Sequence, residues 1–130
     1  MRHRSTGFAV IAAGLIAAAS ARAAPVTQDD FLLATTANLV SLCGAASADA
    51  LYTPAQNFCH GFIVATFRVV TAEESASRTR HKLFCLPPNP PSRDQAVAAF
   101  VQWAASRPKT LASTPTDGLA EYFETAFPCK

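Results

Sequence analysis

The sequence predicts an all-α protein, a small four-helix domain stapled by two disulfides. Three observations carry that expectation. One helix-start signal occurs four times along the chain. Each copy is followed by apolar residues spaced three and four apart. Four cysteines also follow a leader of the kind that sends a chain to an oxidising compartment.

The leader comes first. Arg2, His3 and Arg4 form a positive start, Phe8–Ala19 is an apolar run, and Ala21-Arg22-Ala23 is a cleavage signal. A membrane-spanning helix needs about 20 apolar residues, so this run is too short to be an anchor. No Cys stands directly after the cleavage point, where Ala24 sits, which disfavours a lipid-anchored product. The expected mature chain is 24–130, periplasmic after cleavage near Ala23, with no later segment apolar and long enough to span a bilayer. At 130 residues there is room for one domain plus the leader.

Charge narrows the functions. Of eleven basic residues, Arg2, Arg4 and Arg22 lie in the leader, leaving eight against nine acids in the mature chain. A near-neutral chain whose longest basic stretch is Arg80-His81-Lys82 does not fit nucleic acid as a partner.

The start signal is a Ser or Thr followed three residues later by an acid or amide. It reads Thr27-Gln-Asp-Asp30, Thr53-Pro-Ala-Gln56, Ser92-Arg-Asp-Gln95 and Thr114-Pro-Thr-Asp117. Each hydroxyl can accept from an unpaired N–H of the first turn while the later side chain reaches back. Two copies place Pro at the first helical position, where its missing donor costs nothing. The first helix is expected over 28–43, with Leu32, Leu33, Val40 and Cys43 on its stripe. The second, over 54–72, carries Cys59, Phe62, Ile63, Phe67 and Val70, although a strand competes over 62–70 because β-branched and aromatic residues are dense there. The third, over 93–106, shows Val97, Phe100, Val101 and Ala104; the fourth, over 115–127, shows Leu119, Tyr122, Phe123 and Phe127. No proline falls in the interior of a proposed helix.

The connectors differ in kind. Gly44–Tyr52 is Ala- and Ser-rich, and Thr71–Lys82 holds the densest charge in the protein. Leu86-Pro-Pro-Asn-Pro-Pro91 cannot be helix. Four cysteines allow three pairings. Antiparallel neighbours bring the end of helix one to the start of helix two, and the end of helix four to the start of helix three. That geometry favours Cys43–Cys59 with Cys85–Cys129. Each closure would add roughly 3–4 kcal/mol on the chain-entropy account, a large share for a core this small.

Little in the chain points to chemistry. Cys59-His60 are adjacent and so point about 100° apart on a helix, which forbids a hydrogen-bonded dyad. A zinc site from Cys59, His60, His81 and Cys85 would need free thiols, which the compartment argues against. No glycine-rich phosphate loop, glycine-flanked serine or catalytic carboxylate cluster occurs, so the expectation is no enzyme, no cofactor and no metal. Trp103 lies two positions beyond the core stripe, where rim packing competes with a role as a partner anchor. The candidate partner-binding residues are Glu73, Glu74, Arg78 and Arg80 in the charged loop, Gln102 and Trp103 on the outer face of helix three, and Arg107 and Lys109 in the connector 107–113.

The contexts of the cysteines carry a resemblance. Leu39-Val-Ser-Leu-Cys43, Phe58-Cys-His-Gly-Phe-Ile63, Phe84-Cys-Leu-Pro87 and Phe127-Pro-Cys129 resemble the Rap/Tai family of type VI secretion amidase immunity proteins, over about 30–129. The family more usually has Tyr where Phe62 stands and a second Gly near Ala65. The resemblance implies an exported helical protein, often a homodimer, that binds a peptidoglycan-cleaving amidase effector and occludes its active site. The alternative from the residues alone is a non-enzymatic periplasmic stress or chaperone-like helical protein.

Overall fold

A computed structural model describes residues 24–77 and 82–130. The leader assigned to 1–23 lies outside the described residues, as do Arg78, Arg80 and His81. Among the described residues the chain forms a 3-10 turn, Gln28–Leu32, and five α-helices with no strand: α1 (Thr36–Cys43), α2 (Tyr52–Ala76), α3 (Arg93–Ala105), α4 (Pro108–Ala112) and α5 (Pro115–Ala126). The all-α class is as expected, and the stretch 62–70 is helix rather than strand.

The first expected helix is two elements. The Thr27 signal starts only a 3-10 turn, although its box does form with Asp30. The Asp30 carboxylate accepts from the Thr27 N–H at 2.8 Å, from the Thr27 hydroxyl at 3.0 Å, from the Asn38 amide at 3.1 Å and from the Ser41 hydroxyl at 3.2 Å. Leu33 then turns left-handed, at φ 49°, and ends the turn. A second box, Thr35 to Asn38, restarts the chain as α1: the Thr35 N–H donates to the Asn38 side-chain oxygen at 3.0 Å.

α1 is short, yet it is the hub against which α2, α3, α4 and α5 pack. Leu39 and Leu42 are fully buried, facing Ala55, Cys59 and Ile63 of α2, Val97, Phe100 and Ala104 of α3, and Leu119, Tyr122 and Phe123 of α5 in one continuous core. Burying each large side chain is worth about 1.5–3 kcal/mol relative to leaving it in water. The start of α1 is bonded to the turn before α5. The N–H of the fully buried Thr36 donates to the Ser113 carbonyl at 2.8 Å, and its hydroxyl donates to the Thr114 carbonyl at 2.8 Å. Gly118 lets the two elements touch, since a Cβ there would sit 2.3 Å from the Thr36 Oγ1.

α2 corrects two expectations. It starts at Tyr52, not after Thr53, with Leu51 at the cap position and no side chain capping the first turn. Asp49 instead fixes the chain just before it: its Oδ1 accepts the Leu51 N–H and its Oδ2 the Val26 N–H, both at 2.8 Å. Gln56, expected to complete a box, instead donates to the Leu42 and Cys43 carbonyls at 3.2 and 3.0 Å, closing the open end of α1. The helix also runs on to Ala76, so much of the expected charged loop 71–82 is helical. The hydroxyls of Thr71 and Ser75 bond back to carbonyls of the preceding turn, those of Phe67 and Thr71, and so do not break the helix there.

The last two start signals behave as read. Ser92 caps α3 in a full box with Gln95, and the Thr114 side chain accepts from the Asp117 N–H with Pro115 at the first position of α5. The connector 107–113 is corrected to a helix, α4, which begins on Pro108 and buries Thr110. Its single turn is too short to show an apolar period in the sequence.

Both expected disulfides form, Cys43–Cys59 and Cys85–Cys129. The first lies in the core, with Cys59 at 0% and Cys43 at 7% exposure. The second ties two non-helical segments at the rim, where the Cys85 N–H also donates to the Phe127 carbonyl at 2.7 Å. Just before it, Phe84 is buried against Phe67 and Phe123, with ring centroids 5.5 and 5.0 Å away.

Candidate functional site

The disulfides decide the cysteine chemistry. All four sulfurs are bonded in pairs, so Cys59 offers no thiolate beside His60, and neither Cys59 nor Cys85 is available to zinc. Among the described residues no three His, Cys, Asp or Glu side chains come together as a metal site would require. The remaining described candidates lie on the surface.

Two parts of that surface are organised. One is the junction of α3 and α4. Trp103 lies half-buried against Tyr122, with ring centroids 5.4 Å apart, rather than on an outer face. The Arg107 guanidinium lies over the indole, 4.4 Å from the ring centre, and donates to the Trp103 carbonyl at 2.8 Å. A cation over an indole contributes about 0.5–1 kcal/mol at an exposed site. Gln102 and Lys109 stand exposed on α3 and α4. The structure thus joins Trp103 and Arg107 into one unit that the sequence placed on two separate elements.

Of the charged-loop candidates, Glu73 is exposed on the last turns of α2. Glu74 is half-buried, and its carboxylate accepts the Leu83 N–H, which ties the chain after the undescribed stretch back to α2. Arg78 and Arg80 lie outside the described residues.

The second organised surface is a groove of about 450 Å³ between α2 and α3. Tyr52, Gln56 and His60 recur every fourth residue along α2, so they share one face. With Asn57 they form one wall, Asp94 from the first turn of α3 forms the other, and Val97 lies beneath. His60 Nδ1 stands 3.9 Å from the Asp94 carboxylate. The groove is held firmly, because the Cys43–Cys59 bond and the two Gln56 hydrogen bonds fix α2 to α1. Sequence reasoning named His60 but missed this groove. The four-residue spacing of Tyr52, Gln56 and His60 was readable, whereas the approach of Asp94 from another helix was not.

A rigid, disulfide-held helical domain with sculpted surface is the class of molecule that these features define. The model of the Rap1a immunity protein family matches residues 35–129, a span that holds all four cysteines, and the chain belongs to that family. Neither a curated protein nor a solved structure matches the chain.

Proposed function

We propose that this chain is a periplasmic immunity protein that binds a peptidoglycan amidase delivered by type VI secretion and occludes its active site. One observation carries the reading: the family match runs from α1 through Cys129 and so takes in all five α-helices and both disulfides. The physical arrangement supports it. An inhibitor that works by contact gains affinity from a surface that is already ordered, because little conformational entropy is lost on binding. Two disulfides and the hub around α1 provide that order. The work asked of the protein is then recognition, with no chemical step of its own.

Export fits the same reading. Cleavage near Ala23 would deliver the domain to the compartment that holds peptidoglycan and forms disulfides. For the contact surface we propose the α3–α4 junction (Gln102, Trp103, Arg107 and Lys109) together with Glu73, Glu74, Arg78 and Arg80 at the end of α2 and beyond it. The test uses purified oxidised protein and the amidase encoded beside it. Stoichiometric loss of peptidoglycan hydrolysis is expected; undiminished hydrolysis with the protein in excess would overturn the proposal.

A further inference from the structure

The polar groove between α2 and α3 has a chemistry of its own. Asp94 is 89% exposed and presents a carboxylate at its edge. Among the described residues no Lys or Arg lines it. Its other polar groups are acceptors or amphoteric: with the Gln56 amide nitrogen bonded to the Leu42 and Cys43 carbonyls, its side-chain oxygen is left to accept. Among the described residues no hydrogen bond engages the Asn57 side chain or the Tyr52 hydroxyl. Tyr52 adds a 37%-exposed aromatic ring at the rim. A carboxylate, amide oxygens and a ring face around an apolar floor are complementary to a cation on an aliphatic stem, the shape of an arginine or lysine side chain.

We propose that this groove receives a basic side chain, arginine in first place, presented by the bound protein partner. Asp94 is its counter-ion, and Tyr52, Gln56 and Asn57 orient the head group. His60 completes the wall beside Asp94. Arginine is favoured over lysine because its planar fork engages a carboxylate and an amide oxygen together. The proposal rests on the inhibitor reading only for the identity of the partner.

The groove is tested without the partner. The 15N-labelled, disulfide-bonded protein is titrated with N-acetyl-arginine amide, and with N-acetyl-norleucine amide as the uncharged control. Saturable shifts are expected at Tyr52, Asn57, His60 and Asp94 for the arginine compound alone. Binding should be weak, of millimolar order, because one exposed ion pair contributes little. D94N should raise the dissociation constant on the order of five-fold, with the rest of the spectrum unchanged. E124Q, which alters an exposed carboxylate on α5, should titrate like the native protein. Absence of shifts in the groove, equal shifts with norleucine, or D94N titrating like the native protein would overturn the assignment. The two readings fail separately. A protein that takes the probe in the groove but leaves the amidase active overturns the inhibitor reading alone. One that inhibits the amidase but ignores the probe overturns the groove alone.

Discussion

The two disulfides occupy opposite kinds of surroundings. Cys43–Cys59 joins two helices inside the core, beside the fully buried Leu39 and Leu42. Cys85–Cys129 joins two non-helical segments at the rim, with Cys129 exposed and four prolines following Cys85. Their loops differ in the other direction, with 16 residues of separation for the inner pair and 44 for the outer. Loop entropy alone therefore ranks the outer bond higher, at about 4 kcal/mol against about 3. Packing reverses the order, since removing the inner sulfurs also leaves a hole that the surrounding helices cannot fill. The lesson is that the inner bond holds the domain together, whereas the outer bond holds its edge in place.

That contrast is open to direct attack. The double substitution C43A/C59A is expected to cost about 4–5 kcal/mol in urea unfolding, loop entropy plus the loss of buried contacts. C85A/C129A is expected to cost about 3–4 kcal/mol and to raise amide exchange first around 83–91, where Phe84 is the remaining anchor. If the outer pair proves the costlier, packing does not decide the ranking and the account of the two sites is wrong.

A smaller effect sharpens the same picture from the hub side. G118A places a methyl within 2.3 Å of the Thr36 hydroxyl, and Thr36 is too deeply buried to move aside. A thermal melt should show a loss of about 2–3 kcal/mol. Adding T36A should recover part of it, whereas T36A alone destabilises by removing the bonds to the Ser113 and Thr114 carbonyls. Additive losses in the double variant would contradict the close approach.

The smallest effect belongs to Asp30. Burial pulls its carboxyl upward, but bonds from the Thr27 N–H, the Asn38 amide and the Thr27 and Ser41 hydroxyls outweigh that and hold it below the ordinary carboxylate range. A carboxyl lowered in the folded state adds stability above its unfolded value of about 4, and that stability is lost as pH falls through the folded value. D30N should cost about 1–2 kcal/mol at neutral pH and flatten the acid side of the stability curve. An unchanged acid limb would mean that the Asp30 cluster is not formed in solution.

The sequence was most legible where a local signal and the tertiary structure agree. Ser92 and Thr114 sit before clear apolar stripes and cap as read. The disulfide pairing followed from chain order, on the expectation that neighbouring helices run antiparallel. Thr27 carries the same pattern and forms its box with Asp30, but Leu33 turns left-handed and ends the helix after little more than one turn. Thr53 does not cap, because the Gln56 amide bonds the carbonyls closing α1. Those competing bonds run between elements and leave no trace in a short window. The candidate site meets the same limit. The sequence set Arg107 in a connector apart from Trp103, and Asp94 faces His60 from another helix, so neither pairing was read.

The position of the outer cysteines also bears on the order in which the bonds close. A chain that enters an oxidising compartment from its N-terminus brings in both inner cysteines by residue 59, long before residue 129. Once Cys43 and Cys59 are joined, neither offers a thiol to Cys85. Early closure of the inner bond therefore leaves Cys129 as the one thiol with which Cys85 can pair.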